Sequence, residues 1–311
     1  MNIIRGINDV AMEGLVATMG FFDGVHLGHQ FLIDNLIKIA KERNLPSAVI
    51  TFSEHPRNVL QSDYQPRLLN SFEEKLARLE ATGIDYCIVL PFTLELSTYP
   101  AQKFIRDILS QKLHIKTLLA GYDHRFGHDR TDGFKEYAGY GAACGMEVVE
   151  ISRFIEDGIA VSSSEIRRLL MECKVEEAGK LLIYPYQIKG RIVRGYKVGR
   201  TLGFPTANIQ ADEPFKIVPG IGVYAVWVQF QGMRYKGMLY IGNRPTLNNG
   251  DHVSLEVNIL DFSGDIYNNE IIVSFIYFIR GDIRFNTLEE LKMQLERDRQ
   301  IVDERLTTND S

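Results

Sequence analysis

The chain has 311 residues, 45% hydrophobic and 24% charged, with a formal net charge of -5. That length exceeds one average domain and that apolar share fills sizeable cores, so two globular domains are expected. The acidic balance without a basic stripe argues against nucleic acid as a partner, and the absence of any run of about 18 apolar residues argues against a membrane span.

In the first half, short apolar runs of buried-strand length (Leu15 to Met19, Ala48 to Phe52, Ile84 to Leu90, Thr117 to Ala120, Val148 to Ile151) alternate with helical patterns. Leu32, Ile33, Leu36, Ile37 and Ala40 form one stripe at helical spacing, and Phe72 to Thr82 and Ala101 to Lys112 read similarly. Such alternation implies crossovers, hence an α/β domain with a parallel sheet covered by helices on both faces. A helix over Ser163 to Leu182 is expected to close it.

Beyond Tyr184 the pattern turns β-rich: Val223 to Phe230, Tyr235 to Ile241, Val253 to Leu260 and Ile271 to Ile279, with Gly, Asn and Pro turns between them. Closely spaced strands with short turns suggest an antiparallel barrel or sandwich, followed by a terminal helix from Thr287 to Arg305. The expected domains are 1–183 and 184–306, with a disordered tail at 307–311. Cys87, Cys144 and Cys173 are odd in number and far apart, which argues for reduced thiols rather than disulfides or zinc. With no apolar signal core at the N-terminus, the protein is expected in the cytoplasm.

The most informative stretch runs from Gly20 through Phe21, Asp23 and His26 to Gly28 and His29, between an apolar strand and an amphipathic helix. A helix entrance presents backbone N–H groups and a positive dipole end, which favour phosphate. Gly28 permits close backbone approach, and His26 and His29 supply hydrogen-bond donors. Attack on an α-phosphate suits such a site, because charge accumulates on oxygens that fixed donors can stabilise, with no protein nucleophile. Taken alone, paired histidines here also serve as a helix cap.

A second anion site is read at Ser162, Ser163 and Ser164, hydroxyls at a helix start, with Arg167 one turn on. In the second half, Gly199, Arg200, Gly203, Pro205, Thr206 and Asn208 form a Gly-rich stretch that is not a Walker A loop. Thr206 and Asn208, two apart, point the same way if extended and offer two oxygen ligands to Mg²⁺. Glu256 alternates with Leu255 and Val257, which places it on a polar strand face where a carboxylate can accept the proton of an attacking alcohol.

The block from Gly20 to His29 resembles the nucleotidyltransferase superfamily and, within it, bacterial FAD synthetase. Thr51 to Pro56 (with His55), Gly121 to Gly127 (with Asp123 and Phe126) and Ser162 to Arg167 are similar to that family's further motifs, although Glu54 and His124 depart from them. Gly203 to Asn208, Val218 to Tyr224, Ile241 to Thr246 and Glu256 to Phe262 resemble riboflavin kinase. The resemblance implies a Rossmann-like FMN adenylyltransferase domain before a β-barrel kinase domain, with ATP, riboflavin, FMN and FAD as substrates and products. It implies that Ser162 to Arg167 hold the β- and γ-phosphates and that Glu256 is the kinase base. Three alternatives remain open at this point: an FAD synthetase with an inactive kinase half, a transferase for another metabolite, and a flavin-sensing regulator.

Overall fold

The computed structural model describes residues 1–7, 14–55, 59–60, 67–122, 125–128, 131–156, 158–193, 203–243, 253–264 and 266–307. The chain divides into two compact units, Met1–Ser163 and Ser164–Ser311.

The first unit is built on strands β1 (Asn2–Arg5), β2 (Leu15–Met19), β3 (Ser47–Phe52), β4 (Tyr86–Leu90), β5 (Ile115–Gly121) and β6 (Glu147–Ile151). They form a parallel sheet in the order β1-β4-β3-β2-β5-β6. Side chains of successive residues enter opposite cores. Leu15, Ala17, Met19 and Ile50 join one cluster, while Val16, Val49, Cys87 and Leu119 join the other. The helices α1 (Leu27–Arg43) and α2 (Phe72–Ala81) cover the second face. Asn44 ends α1 at φ 53°, and a Ser71–Glu74 capping box starts α2.

On the opposite face the helix expected over Ala101 to Lys112 is largely a π-helix, Phe104–Ser110, which buries Phe104, Ile105, Ile108 and Leu109. Helix α3 (Phe134–Ala143) packs beside it. A short hairpin of β7 (Ile155–Glu156) and β8 (Ile159–Ala160) follows.

The helix expected over Ser163 to Leu182 is two, α4 (Ser163–Met171) and α5 (Val175–Leu182). Cys173 breaks it at φ 63°, while the Lys174 and Cys173 N–H groups bond back to Leu169 and Leu170. Gly220 donates its N–H to Leu170 O, so α4 is tied to the barrel that follows. That barrel is closed and antiparallel, from β9 (Gln187–Val193), β10 (Ala207–Ala211), β11 (Gly222–Phe230), β12 (Met233–Asn243), β13 (Val253–Ile259) and β14 (Glu270–Arg280). Of the two antiparallel forms left open, the barrel is thus the one found. Helix α6 (Leu288–Thr307) lies against its outside, seating Val302 and Leu306 on Trp227, Met238 and Phe204.

Asp298 of α6 is fully buried and accepts from Arg280 Nε and Nη2, at 3.0 and 2.8 Å, and from Gln294 at 2.9 Å. Removing one member of a buried pair leaves the other desolvated and unpaired. Asp298→Ala is therefore expected to destabilise the barrel unit by about 3 kcal/mol in denaturant unfolding, the low end of the buried range because Arg280 keeps 15% of its side chain exposed. A loss below about 1 kcal/mol, the surface-pair range, would contradict this.

All three cysteines are free; Cys87 is buried and burial pushes its thiol up to about 11, whereas Cys144 and Cys173 are half-buried. Among the described residues no helix is long and apolar enough to cross a membrane.

Candidate active sites

In an open parallel sheet, ligands bind beyond the carboxyl ends of strands where the strand order reverses. Here β2 has β3 on one side and β5 on the other, so the reversal lies between β2 and β5. The turn Gly20–His26 leaves the end of β2 at that point. It is tightly wound, with Phe22 at φ 55°, Gly24 at 86° and the β-branched Val25 at 38°. Such angles persist only where surroundings enforce them.

Asp23 supplies that enforcement. Its buried carboxylate accepts from the N–H groups of Leu69, at 2.9 Å, and Asn70, at 3.2 Å, while its carbonyl accepts from Ser163 Oγ at 2.9 Å. Asp23→Ala strands two buried backbone donors, so about 2–3 kcal/mol of stability should be lost, read as a lowered unfolding midpoint. A midpoint that does not move would refute this account of the turn.

His26 is the N-cap of α1: its Nδ1 accepts from His29 N at 3.4 Å. The capping role and the phosphate role are compatible, because an accepting Nδ1 leaves Nε2 as the protonated, donating nitrogen of the neutral ring. His29 stacks on His26 with centroids 3.7 Å apart and packs against Phe22 at 5.0 Å. Its Nδ1 is buried and unpartnered. Burial, then the neighbouring His26 and Lys75 charges, hold the His29 pKa well below its ordinary 6.5. Gly28 lets Val161 and the His26 ring pack close to the helix entrance: a Cβ there would sit 3.2 Å from Val161 O and 3.3 Å from the His26 ring.

Gly20 admits the Phe22 ring, whose edge would lie 3.1 Å from a Cβ. Phe21 meets the His55 ring edge-on at 4.8 Å. Phe126 stacks on Tyr137 at 4.2 Å and lines an aromatic cavity of about 80 Å³ with Met19, Phe52, Phe92 and Phe104. Ser162 and Ser163 are half-buried at the start of α4, Ser164 is exposed, and Arg167 is half-buried one turn along. Asp123 and His124 lie outside the described residues.

One residue of this site is absent from the sequence reading. Lys75 of α2 is 3% exposed, and its Nζ donates to Phe52 O at 3.0 Å, Phe21 O at 3.2 Å and Thr51 Oγ1 at 3.3 Å. It also lies over the Phe21 ring, 4.1 Å from the centroid.

In the barrel, antiparallel register sets Asn208 of β10 opposite Glu256 of β13, which in turn faces Tyr240 of β12. Directly opposed residues share a face, so the three form a row across three strands. Phe204 anchors the preceding segment in the core under α6, and Asn258 Nδ2 donates to Pro205 O at 2.7 Å. Gly203 turns at φ 84°. Thr206 stands at the edge of a cavity of about 590 Å³ bounded by Pro205, Val257, Ile259, Phe262 and Tyr267. Val257 and Ile259 alternate with Glu256 and Asn258, so the cavity opens on the strand face opposite the carboxylate. Gly199 and Arg200 lie outside the described residues. Among the described residues no group of three or more His, Cys, Asp or Glu is placed to hold a metal ion. A hard cation carried by phosphate needs only one or two protein oxygens, which Thr206 and Asn208 can supply.

The FAD synthetase family model matches residues 9–165 and the riboflavin kinase family model residues 182–306. A bifunctional riboflavin kinase/FMN adenylyltransferase of Listeria monocytogenes is 38% identical over 92% of this chain and 90% of its own length. That of Escherichia coli strain K12 is 38% identical over 96% of both chains. A crystal structure named as a macrolide-efflux protein of Streptococcus pneumoniae superposes with a TM-score of 0.87 at 30% identity, over 97% of this chain and 99% of the other. Both halves are matched in order over nearly the whole length, and so the chain belongs to the FAD synthetase family in the form that carries a riboflavin kinase domain behind it.

Proposed function

We propose that the Gly20–His29 turn holds ATP for FAD formation and that the row of Asn208 and Glu256, with Thr206, carries FMN formation. The chain is a transferase with two activities, converting riboflavin and ATP to FMN and ADP, and FMN and ATP to FAD and pyrophosphate. The observation that carries the assignment of the first site is the stacked His26–His29 pair at the entrance of α1, beside the sheet's topological switch.

In the first reaction an FMN phosphate oxygen attacks the α-phosphorus of ATP and the bond to the β-phosphate oxygen breaks, releasing pyrophosphate. His26 Nε2–H, His29 and the N–H groups of the α1 entrance stabilise the growing charge. Ser162, Ser163, Ser164 and Arg167 hold the leaving β- and γ-phosphates. Phe21, His55, Asp123 and Phe126 border the flavin and the nucleotide. We draw this module as 1–183.

In the kinase module, 184–306, Glu256 takes the proton of the ribityl hydroxyl as its oxygen attacks the γ-phosphorus and ADP leaves. The nucleotide is held at Thr206 and the Gly199–Gly203 segment, with its phosphates toward the Asn208–Glu256 face of the strands. Thr206 Oγ1 and Asn208 Oδ1 would hold a divalent cation, for which we take Mg²⁺, and the cation would supply neutralisation of the phosphate charge. ATP in the cytoplasm supplies both steps.

The test is incubation with riboflavin, ATP and Mg²⁺, separation by chromatography, and a parallel reaction started from FMN. FMN and FAD both accumulate on this reading; FMN without FAD would remove the His26–His29 assignment, and neither product would remove both.

A further inference from the structure

We propose that Lys75 is a positioning residue of the adenylyl-transfer site, a buried ammonium that clamps the turn carrying His26 and His29 to the end of β3. This rests on the reading of that turn as the ATP site. Three oxygens converge on Nζ: Phe21 O on the turn, and Thr51 Oγ1 and Phe52 O on β3. Thr51 Oγ1 also donates to Phe21 O at 3.2 Å, so the clamp is a closed ring of hydrogen bonds. An ammonium has three protons, and here each has one acceptor. The Phe21 and Phe72 rings lie beneath the charge, with centroids at 4.1 and 5.3 Å.

A buried lysine is costly for stability, and a methionine would fill the space at less expense. What an ammonium adds is a rigid three-way tie between the turn that leaves β2 and the carboxyl end of β3, beyond their last strand-to-strand pair. The turn needs such a tie, because Phe22, Gly24 and Val25 are all held at positive φ.

Burial lowers the Lys75 pKa from 10.5 to about 8, partly offset by Asp23. The other charged or titratable groups around it are His29 of α1, Cys87 of β4 and Arg5 of β1, the last lying over the Phe72 ring. Above pH 8 the neutral amine keeps two protons for three acceptors, and the clamp loses one bond. The sign of the stability effect is opposite. With a folded pKa below the unfolded one, the unfolded chain binds more protons between about 8 and 10.5, so stability from this group rises with pH there. FAD formation is expected to fall through about pH 8 while the unfolding midpoint contribution of Lys75 does not, a divergence that a purely structural lysine does not produce.

The test uses the full chain with Lys75→Met and Lys75→Arg, following FMN formation from riboflavin and FAD formation from supplied FMN in the same preparations across pH. Lys75→Met should cut FAD formation by about 100-fold, as misplacement of a catalytic group does, with FMN formation within about twofold of the parent. Lys75→Arg, which stays charged at all accessible pH, should recover at least about tenfold over methionine and shift the alkaline midpoint above 9. The proposal is overturned if Lys75→Met keeps FAD formation within about threefold, if both activities fall together, if arginine gives no recovery, or if it leaves the midpoint in place. A parent chain that makes FMN but no FAD would instead sink the reading of the site itself.

Discussion

His29→Ala should lower FAD formation by about 10²–10³-fold, the range for removing one preorganised donor from a developing oxyanion, and leave riboflavin phosphorylation intact. The expectation follows from how the ring is held. Its stacking on His26 and packing on Phe22 fix its plane, and its unpartnered, buried Nδ1 marks a polar atom placed there for something other than the fold. With its pKa held below 6.5, the ring is neutral at neutral pH until an anionic phosphate arrives to raise it. The linkage has a definite sign. Because the folded pKa lies below the unfolded one, the neutral ring's contribution to stability is complete above about pH 6.5 and is lost as pH falls toward the depressed value. Removing a desolvated imidazole whose Nδ1 has no partner should therefore cost little stability, which separates this substitution from Asp23→Ala. Initial rates of FAD formation from FMN at saturating ATP decide the matter. A loss under about tenfold, far short of an oxyanion donor's worth, would show that His29 does no more than support the turn.

The parts of this molecule that were legible in the sequence are those whose signal is local. Leu15–Met19 is a continuous apolar run and is buried at every position, as a central parallel strand demands. The Gly20–His29 block was legible as a strand end, a turn and a helix start because the three are adjacent in the chain. Lys75 was missed for the converse reason: its three acceptors come from residues 23 to 54 positions away. A trace was present, since Phe72, Lys75, Leu76 and Leu79 stand at i, i+3, i+4 and i+7, which sets a lysine inside an apolar helix stripe. The break at Cys173 had no such trace, because Met171-Glu172-Cys173-Lys174 contains neither glycine nor proline. Strand β1 was too short and half polar to register, and pairing with β4 is what makes it a strand. Strands β9 and β10 carry no clean alternation in sequence, for their Gly, Arg and Asn residues mask it until the barrel closes around them.

Glu256→Gln should reduce FMN formation from riboflavin by about 10²–10⁴-fold, the worth of a positioned general base, while FAD formation from supplied FMN continues. Glutamine preserves the shape and one acceptor oxygen, so any loss reports the proton transfer rather than packing. Register makes this the residue to change: Glu256 lies between Asn208 and Tyr240 on adjacent strands, and no other carboxylate shares that row. Its neighbour Tyr240 donates to Asp282 at 3.2 Å, and burial followed by the Asp282 charge pushes the phenol up, so at working pH it stays protonated and Glu256 is the base within the row of Asn208, Glu256 and Tyr240. The denaturant unfolding midpoint of the barrel unit, read in the same sample, distinguishes a folding defect from a lost base. If the glutamine variant retains FMN formation within about tenfold, the proton leaves by water or phosphate, and Glu256 serves only to orient the alcohol.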